Sequence, residues 1–299
     1  MAQIISDLKN NFQRGSIHIQ YIYINVGIFI LVSLLGVFFL LFNRSASLLL
    51  NFVELPASFY RFLVQPWSIF TYMFMHSGLM HLLFNMLWLY WFGNLFLGFY
   101  SAKHFRGLYW LGGMLGGLFY MLAYNLFPYF SGSVNYSFLV GASASVLAIA
   151  LATAYKEPDY PIRLLFIGTI RLKYLALFLV LTDVMMITGS NAGGHLAHLG
   201  GALTGLWFAA SLRKGKDITH WLNRILDWVV GLFSGRPILK KRKPKMKVHY
   251  GGRTDEYEYN ARKKAQSEKI DAILDKLRKS GYGSLTEEEK KCLFDASQR

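Results

Sequence analysis

Six residues of types that move protons or attack carbonyls lie inside long apolar runs of this chain: His81, Asn85, Ser143, Asp183, His195 and His198. Polar groups in such surroundings are costly, so each is a functional candidate. Their depths compare along a helix rising roughly 1.5 Å per residue: His81 is about 6 Å and Asn85 about 12 Å beyond Ser77, Ser143 about 8 Å beyond Phe138, and His198 about 10 Å beyond Asn191. Three non-adjacent runs therefore bring Ser, His, His and Asn to a similar depth, as one shared site would require.

Acyl transfer uses these residue types. A serine hydroxyl is a poor nucleophile until a base takes its proton. Histidine titrates near neutrality and can be that base, then return the proton to a leaving amine. The oxyanion needs donors, and His81 and Asn85, one helical turn apart, point to one face and can supply side-chain N–H groups. The backbone N–H of Ser143 is a further candidate. Two histidines compete for the role of base. Gly194, Gly201 and Gly205 lie within about 60° to one side of His198, whereas His195 lies about 60° to the other. Another helix can come close along that glycine stripe, so His198 is the expected base and His195 a rim or structural residue. Asp183 invites a Ser-His-Asp arrangement, but a structural carboxyl bonded to neighbouring backbone or water is the plainer expectation. Ser145 faces away from Ser143 and reads as packing.

The motifs resemble those of the rhomboid family. Gly141-Ala142-Ser143-Ala144 looks like its nucleophile motif, His81-Leu82-Leu83-Phe84-Asn85 its His-x-x-x-Asn, and Ala197-His198-Leu199-Gly200-Gly201 with Gly205 its catalytic-histidine helix. The resemblance covers about residues 21–212. It implies a Ser143–His198 dyad, oxyanion stabilisation by His81 and Asn85, no cofactor or metal, and cleavage of transmembrane protein substrates whose helix is locally unstable. Two positions depart from the pattern. Leu147 stands where an aromatic often supports the histidine, and Trp67-Ser68 where Trp-Arg is often found.

Other readings fit less well. Position 145 is Ser, so Gly141-x-Ser143-x-Ser145 is not a Gly-x-Ser-x-Gly elbow. His195 and His198 could share a zinc, but no His-Glu-x-x-His occurs and no glutamate lies in a span. A transporter would spread polar groups through the bilayer depth or break its helices. An inactive rhomboid-like binding module is the alternative of another class; such proteins lack the Ser or the His.

The elements that must position these residues follow from composition. Of the 299 residues 54% are hydrophobic, and mean hydropathy is +0.30. Only ten of the 32 Lys and Arg precede residue 213, so an apolar body is joined to a basic tail. A spanning helix needs about 20 apolar residues. Such runs occur near 21–42, 78–99, 107–127, 172–189 and 194–212, with a shorter one near 138–155. The expected fold is an all-α membrane protein: a six-transmembrane-helix rhomboid-like bundle with a basic, partly helical C-terminal tail. Gly112, Gly113, Gly116 and Gly117 in the third run are read as helix packing. Lysine and arginine crowd alternate connections, which puts both termini on the cytoplasmic side. The expected location is a bacterial cytoplasmic membrane. The connection 43–75 is apolar enough to lie in the outer interface.

Four segments result. Residues 1–20 form a cytoplasmic N-terminal segment and 21–212 the membrane protease domain. Residues 213–264 hold an interfacial amphipathic helix near 217–233 and a basic linker, Lys240 to Lys247. Residues 265–299 form a small helical hairpin, its second helix started by a Thr286/Glu289 capping box. The lone Cys292 permits no intrachain disulfide. A basic tail joined to a membrane body points to anionic lipid, not nucleic acid. The lone His76 reads as a solvated or capping residue that can support His81.

Overall fold

The computed structural model describes residues 12, 14–45, 47–164, 168–233 and 253–297, in two compact units, Met1–Pro237 and Ile238–Arg299. The first unit carries six long helices where the sequence has its apolar runs. They are α1 (Ile17–Leu41), α2 (Leu79–Phe99), α3 (Ala102–Leu126), α4 (Ser143–Lys156), α5 (Leu172–Met185) and α6 (Ala192–Arg213). Among the described residues, α1 and α2 are long and apolar enough to cross a membrane by length and composition alone. The all-α expectation omits two short antiparallel pairings. Leu55 and Pro56 pair with Leu139 and Phe138, and Pro161–Leu164 pairs with Gly168–Arg171.

Helix α4 is the centre of the unit. Every residue from Ala144 to Ala154 is buried, so the helix is enclosed on all sides instead of showing one apolar face. Its 14 residues span about 21 Å, well short of a bilayer core of about 30 Å. The Ser143 end therefore begins inside the helical body. Helix α5 was expected to continue to residue 189 but ends at Met185. The following Thr188-Gly189-Ser190-Asn191 offers turn chemistry in place of helix propensity.

Helices α3 and α6 close on α4 through glycine. A Cβ on Gly201 would strike the Ala144 carbonyl oxygen, and one on Gly205 that of Ala148. On the other flank, a Cβ on Gly116 would meet Ala144 Cβ and the Ala197 carbonyl. Of the glycine stripe expected to face α4, Gly194 does otherwise: it packs on the Asn191 side chain. Ser145 is fully buried with its hydroxyl on Met73 sulfur, the packing role expected of it.

Helix α1 stands apart from this core. It buries only His18, Tyr21 and Asn25, and the last two bond to α3: Asn25 Nδ2 donates to the Tyr109 hydroxyl at 3.3 Å, and Trp110 Nε1 donates to that of Tyr21 at 2.7 Å. Elsewhere α1 exposes Leu31, Leu34, Phe38 and Leu41, large apolar side chains of the kind that mark a membrane or partner surface when they cluster. The connection 43–75 folds into short helices, Ser47–Val53, Phe59–Val64 and Ser68–Thr71, and likewise exposes Tyr60, Leu63 and Val64.

After α6 comes α7 (His220–Phe233). Asn223 and Asp227 tether it to the start of α3: Arg106 Nε donates to Asn223 Oδ1 at 2.8 Å, and Arg106 pairs with Asp227 at 2.7 Å. Leu222 is buried, while Trp221, Ile225, Trp228 and Leu232 stay exposed, so most of the expected stripe faces away from the protein. The linker Lys240 to Lys247 lies outside the described residues. The second unit contains α8 (Arg253–Ser280) and α9 (Glu287–Ser297). Its first helix begins at 253, not 265; the added turns are polar and offer no apolar stripe to read in the sequence. The capping box forms as expected: Thr286 N–H donates to Glu289 Oε2 at 2.8 Å, and Glu289 N–H to Thr286 Oγ1 at 3.3 Å.

The α4–α6 seam generates a test. In Gly201→Ala the new methyl meets a backbone carbonyl that has no rotamer to escape into, so the helices must separate, at about 1–3 kcal/mol. Gly27→Ala on α1, where nothing lies within 4 Å, should be neutral or slightly stabilising. Thermal unfolding of both variants in detergent gives the comparison; equal melting temperatures would contradict the packing described.

Candidate active site

The loop before α4 determines where Ser143 sits. Gly141 N–H donates to the Tyr72 carbonyl at 3.0 Å, and the Leu55–Leu139 pairing fixes the strand just upstream. Gly141 has φ +125°, a conformation that side-chain-bearing residues rarely adopt. A Cβ there would also stand 3.0 Å from His81 Cε1 and Nε2 and 3.5 Å from Ser143 Oγ. The glycine thus keeps open the space between hydroxyl and imidazole. Ser143 opens α4, and first-turn N–H groups of a helix have no intrahelical carbonyl to bond.

Helix α6 brings His198 across the glycine seam. Its Nε2 lies 2.6 Å from Ser143 Oγ. Its Nδ1 lies 2.8 Å from Asp183 Oδ1 on α5. His195, one turn away, turns from the serine and places its own Nδ1 2.8 Å from the same oxygen. The expectation of a structural carboxyl bonded to backbone or water is thereby corrected: Asp183 is buried and its contacts are the two imidazoles. The signal available in sequence was His195 and His198 at i, i+3, two imidazoles on one helical face in need of a partner.

On the opposite wall, Ser77 N–H approaches His81 Nδ1 at 3.4 Å and the Ser77 hydroxyl lies 3.0 Å from it. With Nδ1 accepting, Nε2 carries the hydrogen and faces the space beside Ser143. Asn85 is buried and donates one amide hydrogen to the His81 carbonyl at 2.9 Å, which leaves its second hydrogen for another acceptor. Of the two readings of His76, solvated or capping residue and support for His81, the structure fits the second. His76 is half-buried, edge-on to His81 with ring centroids 5.2 Å apart. Burial first, and then the neighbouring His81, push its imidazole down to about 4.

Ser143, His198, His81, Asn85 and Asp183 border one cavity of about 310 Å³, with Trp88, Leu147 and Phe178 among its apolar lining. Asp183, His195 and His198 are also the metal-ligand types that cluster among the described residues, with ligand atoms within 4.8 Å of one another. Their spacing suits protons better than a metal. Each Nδ1 is 2.8 Å from the shared oxygen, whereas a tetrahedral zinc with bonds near 2.0 Å holds its ligand atoms about 3.3 Å apart.

A family model described as the Rhomboid domain matches residues 63–215, and one described as a family of unknown function (DUF6576) matches 253–299. RHOMBOID-like protein 12, mitochondrial, of Arabidopsis thaliana is 30% identical over 159 residues, covering 50% of this chain and 47% of the relative. Presenilin-associated rhomboid-like protein, mitochondrial, of Homo sapiens is 26% identical over 179 residues, 58% of this chain and 43% of its own length. Presenilin-associated rhomboid-like protein A, mitochondrial, of Danio rerio is 28% identical over 160 residues, 52% and 39% respectively. The chain thus spans less than half the length of these curated relatives.

Gly141→Ala tests the construction of the site. Both φ and the His81 ring oppose a methyl there, so the variant should lose about 1–3 kcal/mol of stability. Unfolding by titration with SDS would measure it; an unchanged transition would show that the loop accepts a side chain at 141.

Proposed function

This chain belongs to the rhomboid family, and from that premise we propose that it is an intramembrane serine endopeptidase cutting transmembrane protein substrates with Ser143 as nucleophile and His198 as base. The 2.6 Å approach of His198 Nε2 to Ser143 Oγ carries this reading. An inactive binding module has no need of a hydroxyl and imidazole in contact beside a cavity.

In the proposed reaction, Ser143 Oγ attacks the scissile carbonyl carbon while its proton passes to His198 Nε2. The carbonyl oxygen becomes an oxyanion within reach of donors at His81 Nε2, Asn85 Nδ2 and the Ser143 backbone. Protonated His198 then gives its proton to the leaving amine, and the acyl-enzyme forms. Water attacks the acyl carbon and its proton goes to His198, which passes it to Ser143 Oγ as the acyl–oxygen bond breaks, regenerating the hydroxyl and the neutral imidazole. Gly141 supports this chemistry by leaving the oxyanion's space unfilled, and Gly201 and Gly205 by letting α6 reach α4.

The protein is a member of a membrane-protein family, and the finer membrane arrangement belongs to the proposal. We take α1 to α6 as the six-helix bundle, with α4 enclosed and both termini on the cytoplasmic side, as the basic connections favour. The exposed Trp221, Ile225, Trp228 and Leu232 of α7 suit an interfacial position. Contact of the basic segment 240–247 with anionic lipid is part of the same proposal. The mitochondrial names of the relatives lend no support to the expected bacterial membrane.

Ser143→Ala should abolish cleavage of a generic transmembrane reporter by purified protein while leaving the fold intact. Full residual cleavage would overturn the serine-protease reading. Asn85→Ala should lower kcat by about 10²–10³, the usual effect of removing one oxyanion donor. An unchanged kcat would confine Asn85 to helix packing.

A further inference from the structure

We propose that Asp183 is the positioning residue of the site: one carboxylate oxygen, held by two imidazoles, sets the orientation and tautomer of His198. The inference rests on the Ser143–His198 reading and deepens it.

Proton count favours this role. An imidazole has two ring nitrogens, and in the neutral form one donates while the other accepts. A carboxylate can only accept, so a His198 Nδ1 2.8 Å from Asp183 Oδ1 carries the hydrogen. The lone pair is then on Nε2, which faces Ser143 Oγ at 2.6 Å. The opposite tautomer would direct an N–H at the serine and a lone pair at the carboxylate, and neither contact would hold. Asp183 thereby selects the only neutral form of His198 that can take the serine proton. When that proton arrives, the carboxylate lies beside the new imidazolium and stabilises it.

The second histidine explains why the carboxylate stays in place. Asp183 is 6% exposed on a helix of apolar neighbours, where an unpaired charge is costly. One hydrogen bond would leave the carboxyl group free to turn about χ2. The His195 Nδ1, also 2.8 Å from Oδ1, adds a second donor. The two rings stand nearly perpendicular, with centroids 5.8 Å apart, so they reach one oxygen from different directions. His195 touches neither Ser143 nor the oxyanion wall among the contacts described, so its effect on the reaction passes through Asp183.

The test uses the full-length protein in detergent, as wild type, Asp183→Asn, Asp183→Ala and His195→Ala, with thermal unfolding to establish that each is folded. Asn keeps the shape where Ala leaves a gap, so at least one Asp183 variant separates chemistry from packing. On a transmembrane reporter, both Asp183 variants should lower kcat by about 10² or more, with KM within roughly threefold of wild type. His195→Ala should lose less. Imidazole ¹⁵N resonances of His198, assigned with His198→Ala, supply a readout independent of cleavage. In wild type they should report a hydrogen on Nδ1 and a bare Nε2, and in Asp183→Ala a mixed or reversed population. Wild-type turnover in a folded Asp183→Asn and Asp183→Ala would overturn the inference and leave the protease reading standing. If wild type itself cleaves nothing, that reading fails, and the ¹⁵N result alone decides whether Asp183 sets the tautomer. An unchanged tautomer in both Asp183 variants would also overturn it.

Discussion

The close approach of α6 to α4 is the constraint on which the rest of the site depends. Two helices carrying ordinary side chains pack 8–10 Å apart, and Gly201 and Gly205 let this pair come nearer, backbone against carbonyl. Helix α6 then delivers His198 to Ser143 without a loop that could swing. The same approach presents the far edge of His198 to α5, where Asp183 waits. Loosening the seam would disturb both contacts of that imidazole at once.

Local choices in the sequence serve this arrangement from three directions. Gly141 supplies a backbone turn and an unfilled space in a single residue. The pairing of Leu55–Pro56 with Phe138–Leu139 fixes the loop that carries it. Ser77 sets the tautomer of His81 on one wall, while Asp183 meets the outer nitrogen of His198 on the other. Each histidine facing the cavity thus has its second nitrogen engaged, which is how a protein fixes the chemical face an imidazole shows.

Much of this was readable in the sequence, for physical reasons. Apolar runs of membrane length give helix positions within a few residues, and polar groups inside them stand out because they are costly there. Helical angles singled out His198 ahead of His195 by a glycine stripe of which Gly201 and Gly205 face α4 and Gly194 does not. Other features were not readable. The partner of His198 is 15 residues away on a different helix, and no periodicity links Asp183 to His198. The early end of α5 at Met185 depends on turn residues that hydropathy counts as an unbroken run. The pairing of Pro161–Leu164 with Gly168–Arg171 is too short for alternation to show, and the first turns of α8 are polar in sequence. The burial of His76 was not readable either, because it comes from the fold around it and not from its sequence neighbours.

The central claim is that His198 activates Ser143. A fluorophosphonate that reacts with activated serines measures this directly, without a protein substrate. Purified wild type and His198→Ala would be treated in parallel, and the modified residue located by mass spectrometry. The account predicts a single adduct on Ser143 in wild type and little or none in His198→Ala. Labelling of Ser143 at the same rate in both proteins would contradict it.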